Sequence, residues 1–317
     1  MKNKITFLWV HPSDENYVKE HFSTAKIFHD IPQWEKLTKE VWGTEILSCL
    51  TIHKLKKEVL EKLWNLKAIF TRSVGFDHID LDFCREKWIK VCNVPDYGSH
   101  IISEHVFALI LSEARHVIEW NRRTKEWHFA CRKDLKWISL RGKTLWIIWT
   151  GKIWIQTARI ASLGFRMNTI AYDKFENKTA AEEMWFTYTS FEEVLKQSDI
   201  ISIHAPLLPE TFHLIDKKAI KKMKDWVILI NTSRWELVDS EALIEWLESG
   251  KIRFAWIDVI ENESKPELSE KLLKMHNLIA TPHIWAFTDE AVKTQFDVSF
   301  ANIKRFLNWE KLENQVV

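Results

Sequence analysis

Three side chains from distant parts of the chain have the types that acid–base chemistry on an anionic substrate needs. Arg234 ends Asn231-Thr-Ser-Arg234, Glu263 ends Asp258-Val-Ile-Glu-Asn-Glu263, and His283 ends Thr281-Pro-His283. A guanidinium holds a carboxylate through two parallel charged hydrogen bonds. An imidazole titrates near neutral pH, so it can give or take a proton. A carboxylate beside it favours the imidazolium and keeps that proton in place. Together they could grip a carboxylate and protonate an oxygen next to it. Singly, each has a plainer reading: a solvated loop arginine, an acid in the charged run Glu261-Asn-Glu263-Ser-Lys265, and a histidine capping a turn after Pro282. The chemical reading gains because each lies just beyond an expected strand end. Open parallel sheets bind ligands at the C-terminal ends of their strands.

A second stretch, Trp146-Ile-Ile-Trp149-Thr-Gly151-Lys-Ile-Trp154, sits between an expected strand and an expected helix. A dinucleotide-binding turn here reads G-x-G-x-x-G, with glycines for the tight turn, the approach to pyrophosphate and the helix–strand contact. Only the middle one, Gly151, is present, so the spacing alone is no fingerprint. Asp173 ends the next expected strand, 19 residues past Trp154. A carboxylate about 20 residues on accepts the ribose hydroxyls and disfavours a 2′-phosphate. A strand-end turn Asp is the plainer alternative.

Both stretches need a scaffold, and the chain alternates short apolar runs with amphipathic segments, the pattern of βα units around parallel sheets. The first half predicts strands at 4–9, 46–49, 68–71 and 89–92, with helices at 15–22, 55–63 and 81–86. One long helix is expected from Ser103 to Arg122, where Val106, Leu109, Ile110 and Ala114 recur at helical spacing. The second half predicts six strands, at 144–149, 168–172, 200–204, 227–231, 254–257 and 278–280. Helices are expected between them at 152–162, 191–197, 217–223 and 240–248. A final helix, 289–309, is expected to return to the first domain. The fold expected is α/β, with two doubly wound, Rossmann-like or flavodoxin-like parallel-sheet domains and a cleft between them.

Composition narrows the field. At 317 residues the chain suits two domains. Its 45 basic and 44 acidic side chains leave a net charge of +1, which argues against nucleic acid or an anionic membrane as partner. No apolar run approaches the ~18 residues of a membrane span. The start of the chain, two lysines and a short apolar run stopped by His11, Pro12 and Ser13, reads as a strand rather than a leader. Cys49, Cys84, Cys92 and Cys131 form no CxxC pair, so reduced cytoplasmic thiols are expected and no metal site. Two counts are abnormal: 7 glycines and 18 tryptophans. Average usage would put glycine near 7%.

At this point the whole chain resembles the D-2-hydroxyacid dehydrogenase family, especially its D-lactate dehydrogenase-like members. The resemblance rests on ordered motifs: Arg72-Ser-Val-Gly75-Phe-Asp-His-Ile-Asp80, Asn93-Val-Pro-Asp-Tyr97, Ser103-Glu-His105 and His204-Ala-Pro206, then the three that end in Arg234, Glu263 and His283. It implies hydride transfer between NAD(H) and a small 2-keto or D-2-hydroxy acid of the D-lactate, glyoxylate or hydroxypyruvate type. Arg234, Glu263 and His283 fall on the family's catalytic positions. Val74 and Gly75 fall where backbone N–H groups bind the substrate carboxylate, and Tyr97 on the substrate side. Gly151, Lys152, Ile153, Asp173, His204, Pro206, Thr232 and Asp258 fall on the cofactor side. The resemblance implies a substrate domain of residues 1–98 plus 289–317, an NAD-binding domain of 99–288, and a homodimer through the latter. A cofactor-sensing regulator or corepressor on the same fold, and an inactive scaffold, stay open as alternatives.

The departures from the family pattern are systematic. Tryptophan stands at its glycine positions 88, 149, 154, 235 and 285, and at 146, 226 and 256, where glycine is usual. Drift rarely makes one drastic swap repeatedly, so a deliberate or artificial alteration of a dehydrogenase parent is expected. Overpacking costs about 1 to 3 kcal/mol per site, against a total stability of about 5 to 15 kcal/mol. Impaired NAD binding and weakened folding are the expected consequences. Trp235 and Trp285 are expected to crowd the substrate side.

Overall fold

The structure is a computed structural model that describes residues 4–30, 41, 43–128, 138–148, 152–259, 266–284 and 286–317. The first half runs β1 (Ile5–Phe7), α1 (Glu15–His21), β2 (Lys26–Ile27), β3 (Ile46–Cys49), α2 (Lys57–Leu60), β4 (Ala68–Thr71), α3 (Leu81–Glu86) and β5 (Lys90–Cys92). Two helices follow, α4 (Ser99–Ala114) and α5 (Val117–Lys125). Then come β6 (Thr144–Ile148), α6 (Lys152–Arg159), β7 (Asn168–Tyr172), α7 (Lys178–Met184), β8 (Phe186–Tyr188), α8 (Phe191–Gln197) and β9 (Ile200–Ile203). The chain ends α9 (Lys217–Lys222), β10 (Val227–Asn231), α10 (Ser240–Glu248), β11 (Ile252–Ile257), α11 (Pro266–Leu273), β12 (Leu278–Ala280) and α12 (Asp289–Leu307).

The chain divides into two compact units, Met1–Tyr97 with Thr288–Val317, and Gly98–Phe287. The first holds a five-stranded parallel sheet in the order β2-β1-β3-β4-β5. Its central strands, ILSC and AIFT, are buried throughout. Parallel sheets are covered on both faces, so their strands read as unbroken apolar runs. One face carries Leu47, Ile69, Val91 and Leu60, and the other Phe7, Ile46, Phe70 and Val18. Helix α12 closes the second face with Phe296, Phe300 and Ile303.

The second unit holds seven parallel strands in the order β12-β11-β10-β9-β6-β7-β8. From β6 the chain winds outward through β7 and β8, then starts again at β9 in the other direction. The reversal between β6 and β9 is a topological switch point, where the strand ends open a crevice. Helices start at side-chain caps that take up otherwise orphaned N–H groups. Ser190 accepts from Glu193, Asp216 from Ala219, and Asp239 from Glu241 and Ala242.

Three local expectations change. The helix expected from Ser103 to Arg122 is two helices, broken at His116, which is left-handed with φ 51°. No proline or glycine announces that break. The second unit has seven strands rather than six, because β8 is a three-residue edge strand after the short helix α7. In the first unit, β2 adds a two-residue edge strand that no run of apolar residues marks.

Near the α4–α5 break, Glu113 is buried, with Oε1 3.6 Å from His116 Nδ1 and 3.9 Å from Arg253 Nε. Burial lifts its carboxyl to about 7, against the opposing pull of Arg253. An unfolded glutamate titrates near 4.3. The folded chain therefore holds a proton between those values that the unfolded chain lacks. That contribution to stability is complete below about pH 4.3 and is lost as pH rises through 7. Glu113→Gln should melt higher than the parent at pH 8, by on the order of 1 to 3 kcal/mol, and match it at pH 4.5. Differential scanning calorimetry at the two pH values reads this directly.

Candidate functional site

In the second unit the C-terminal ends of β9 to β12 are laced together. Asp258 N–H donates to the Asn231 carbonyl at 2.9 Å, and Thr281 N–H to the Ile257 carbonyl at 3.0 Å. Beyond β10 the chain turns tightly. Asn231 Oδ1 accepts from Ser233 N–H at 3.1 Å, while Asn231 Nδ2 donates to the Arg234 carbonyl at 2.8 Å. Ser233 Oγ donates to the Ile203 carbonyl of β9 at 2.9 Å. Arg234 thus leaves a turn fixed from two strands, with Nη1 donating to the Ser233 carbonyl at 2.9 Å.

The loop carrying His283 is fixed in the same way. Asp258 is fully buried, and its Oδ1 accepts from Thr281 Oγ1 at 2.5 Å and from Ile284 N–H at 3.0 Å. These bonds bracket His283, whose backbone is left-handed at φ 57°. A non-glycine residue there costs about 1 to 3 kcal/mol, and surrounding bonds must hold it. A buried carboxylate making two such bonds supplies that hold. Asp258→Asn keeps the volume but weakens the charged bonds, so it should loosen the His283 loop. We expect turnover to fall by about 10- to 100-fold, as a loss of 1 to 3 kcal/mol implies. Asn231→Ala should act on Arg234 alike, raising the KM of the acid substrate more than it lowers kcat. Steady-state kinetics on both variants separates the two effects.

Other expected cofactor-side residues lie on this face. Asp173 follows β7, and its Oδ1 accepts from Phe175 N–H at 2.9 Å. His204 follows β9, with Nε2 2.9 Å from Ser202 Oγ. Its ring sits deep enough for desolvation to drop its pKa to about 4, although the residue keeps partial exposure. It is therefore neutral at physiological pH. Pro206 is exposed and Thr232 is buried, and no partner for the Thr232 hydroxyl exists among the described residues. His105, on α4, feels the charge of Asp258, though burial dominates and lowers its pKa.

Lys152 and Ile153 open α6. Ser103 Oγ of α4 lies 3.0 Å from the Ile153 carbonyl and 2.9 Å from Thr157 Oγ1, so α4 ties down the start of α6. Next to Ile153, Trp154 is fully buried and packs edge-on against Phe186, centroids 4.4 Å apart. Its indole N–H has no acceptor among the described residues. Gly151, Trp149, Glu263 and Trp285 lie outside the described residues. The switch point, Asp173 and the unpartnered Thr232 hydroxyl fit a dinucleotide, and Trp154 stands in the first turn of α6.

The first unit holds a different feature. After β4 the turn at Ser73 to Gly75 has every carbonyl engaged. Val94 N–H donates to Ser73, Asn93 Nδ2 to Val74 at 2.8 Å, and Ser73 Oγ to Gly75 at 2.7 Å. The N–H groups of Val74 and Gly75 have no acceptor among the described residues. Two adjacent unpaired N–H groups at a strand end suit an anion. Arg72, just before, is buried and donates to Ser48 Oγ at 2.9 Å and to the Leu8 carbonyl at 2.7 Å. Tyr97 is buried.

Asn231, Ser233 and Thr281 were assigned no role by sequence. Their signal was a polar residue at or just after a strand end, directly before a candidate residue. Cys49, Cys84 and Cys92 are buried free thiols, pushed by desolvation to about 12 and so held protonated. Cys131 lies outside the described residues. Among those described, no group of His, Cys, Asp and Glu could hold a metal, and no helix is long and apolar enough to cross a membrane.

Comparison with known proteins places this geometry. The NAD-binding domain family of the D-isomer specific 2-hydroxyacid dehydrogenases matches residues 107–284. An aromatic 2-oxoacid reductase from Clostridium sporogenes is 37% identical over 311 residues, covering 93% of this chain and 92% of that protein. A glyoxylate reductase from Thermococcus litoralis is 36% identical over 315 residues, covering 95% and 93%. The crystal structure of a D-lactate dehydrogenase from Aquifex aeolicus, complexed with NAD and lactic acid, superposes with a TM-score of 0.88 at 33% identity, covering 97% of this chain and 96% of that one. The chain therefore belongs to the D-isomer specific 2-hydroxyacid dehydrogenases, two-domain α/β enzymes, and its cofactor is NAD.

Proposed function

We propose that the protein interconverts a small 2-keto acid and its D-2-hydroxy acid, of the D-lactate, glyoxylate or hydroxypyruvate type. NADH, when bound, would supply the hydride for reduction, and NAD would accept it on oxidation. Arg234 and the unpaired N–H groups of Val74 and Gly75 hold the substrate carboxylate, and Tyr97 borders the substrate. His283 donates a proton to the carbonyl oxygen on reduction and takes it back on oxidation. Glu263 keeps His283 protonated. Asp173 holds the adenosine ribose. Gly151, Lys152 and Ile153 face the pyrophosphate, while His204, Pro206, Thr232 and Asp258 line the rest of the cofactor.

The observation that carries this reading is the bracing of two loops on either side of β11, one bearing Arg234 and the other His283, by the buried Asn231 and Asp258. A scaffold without chemistry has no reason to hold a histidine in a left-handed backbone by a buried carboxylate. Residues 1–98 with 289–317 form the substrate domain and 99–288 the NAD domain, and the protein is a cytoplasmic homodimer through the latter. In the chain as written, Trp149 and Trp154 weaken NAD binding. The test is NADH oxidation at 340 nm with pyruvate, glyoxylate, hydroxypyruvate and phenylpyruvate, using the Trp149→Gly/Trp154→Gly variant beside the parent. Saturable turnover of one of these acids by the variant supports the reading. Tight NADH binding with no turnover of any of them overturns it, and light scattering settles the dimer.

A further inference from the structure

Among the described residues, eleven that are not glycine have positive φ, and six of these are tryptophan. They are Trp9, Trp88, Trp127, Trp185, Trp226 and Trp309, with φ between 51° and 69°. Tryptophan makes up 18 of 317 residues, so chance does not put it at more than half of the non-glycine left-handed positions. A bulky side chain in this region is a steric outlier, and glycine is its ordinary occupant.

The local hydrogen bonds identify the motif. At the ends of α3, α5 and α12, the residue after the tryptophan donates five residues back. Ile89 N–H reaches Cys84, His128 reaches Arg123, and Glu310 reaches Arg305, each at 2.9 Å. This is the helix stop whose middle residue is left-handed and usually glycine. Gly250, φ 77°, follows α10 at the equivalent place. Trp185 caps α7 in the same backbone region, with its N–H on the Ala181 carbonyl. Three of these indoles are largely exposed: Trp88 is 83% exposed, Trp127 82% and Trp309 95%.

Buried tryptophans give a second, independent sign. Trp120, Trp146, Trp154, Trp246 and Trp256 each bury an indole N–H with no acceptor among the described residues. Buried indole N–H groups normally find one.

We infer that the working polypeptide carries glycine at 9, 88, 127, 185, 226 and 309, and also at 149 and 154. Glycine at the last two completes G-x-G-x-x-G around Gly151. One decoding event accounts for all of them. The codon UGA is a stop, a tryptophan or a glycine codon in different translation systems, so a host that reads it as glycine makes a glycine-rich chain from a message that others read as tryptophan. For the six left-handed positions the inference rests on backbone geometry and goes beyond the dehydrogenase reading; for 149 and 154 it rests on that reading.

Peptide mapping by mass spectrometry of the protein isolated from its source cells is the test. Glycine at 88, 127, 185, 226 and 309 is the expected result, with UGA at each codon in the gene. Tryptophan in those peptides overturns the inference. Recombinant protein gives a separate check. A chain with Trp→Gly at the six left-handed positions should melt about 5 to 10 °C above the tryptophan chain. Equal or lower melting counts against the inference. A glycine chain that folds but does not bind NADH would instead strike the dehydrogenase reading and leave this one intact.

Discussion

Trp149→Gly/Trp154→Gly should bind NADH about 100-fold more tightly than the tryptophan chain, with little change in melting temperature. Trp154 lies in the first turn of α6, fully buried against Phe186. A helix N-terminus holds phosphate through its free N–H groups, which must approach it closely. An indole in the strand–helix contact works against that approach. Losing two hydrogen bonds to a charged group, at about 1.5 to 3 kcal/mol each, amounts to about 3 kcal/mol or more. That is roughly a hundredfold in affinity.

Stability should not follow affinity. Truncating a buried Trp costs about 3 to 5 kcal/mol, and glycine in a helix about 1 kcal/mol. Relief of overpacking returns about 1 to 3 kcal/mol, and removal of an unpaired buried N–H a similar amount. The terms nearly cancel. Trp88→Gly should show the converse, since Trp88 is exposed and left-handed. It should gain about 1 to 2 kcal/mol of stability and leave NADH affinity alone. Fluorescence titration with NADH, run beside thermal melts, tests both. Equal NADH affinity in the double variant and its parent would show that Trp154 does not obstruct the cofactor.

The second large effect is on the chemical step. In the Trp149→Gly/Trp154→Gly background, His283→Gln should lower kcat by about 10²- to 10⁴-fold, the usual contribution of a positioned acid–base group. NADH affinity should stay within about twofold. Gln keeps a hydrogen-bonding end but cannot transfer a proton at neutral pH. Arg234→Lys should act differently. Lysine keeps the charge but loses the two-pronged geometry, so the KM of the acid should rise by about 10-fold or more while kcat falls less. The contrast assigns proton transfer to one residue and substrate grip to the other. An unchanged kcat in His283→Gln would remove His283 from the mechanism.

The parallel strands were legible because burial on both faces forces unbroken apolar runs. Ile200–Ile203 and Val227–Asn231 stand at the positions their residues predict. The places of Arg234 and His283, each just beyond a strand, were legible from the apolar runs before them. The unit from α7 to β8 was not, because the glycine that normally marks a helix stop is Trp185 here. The break at His116 was unreadable for a related reason: histidine does not announce a left-handed backbone.

Sequence by itself determined most of the strands and the two-sheet class, since these follow from local apolar pattern; the short edge strands β2 and β8 did not. Only tertiary structure decided what holds Arg234 and His283. Asp258 acts on the His283 loop through the pairing of β11 with β12, not through nearness in the chain, whereas Asn231 braces Arg234 within one turn. The turn at Ser73 to Gly75 was likewise decided there, because Asn93 and Val94, just beyond β5, engage its carbonyls. A hydrogen bond between strands depends on register, and register is set by the packing of whole sheets.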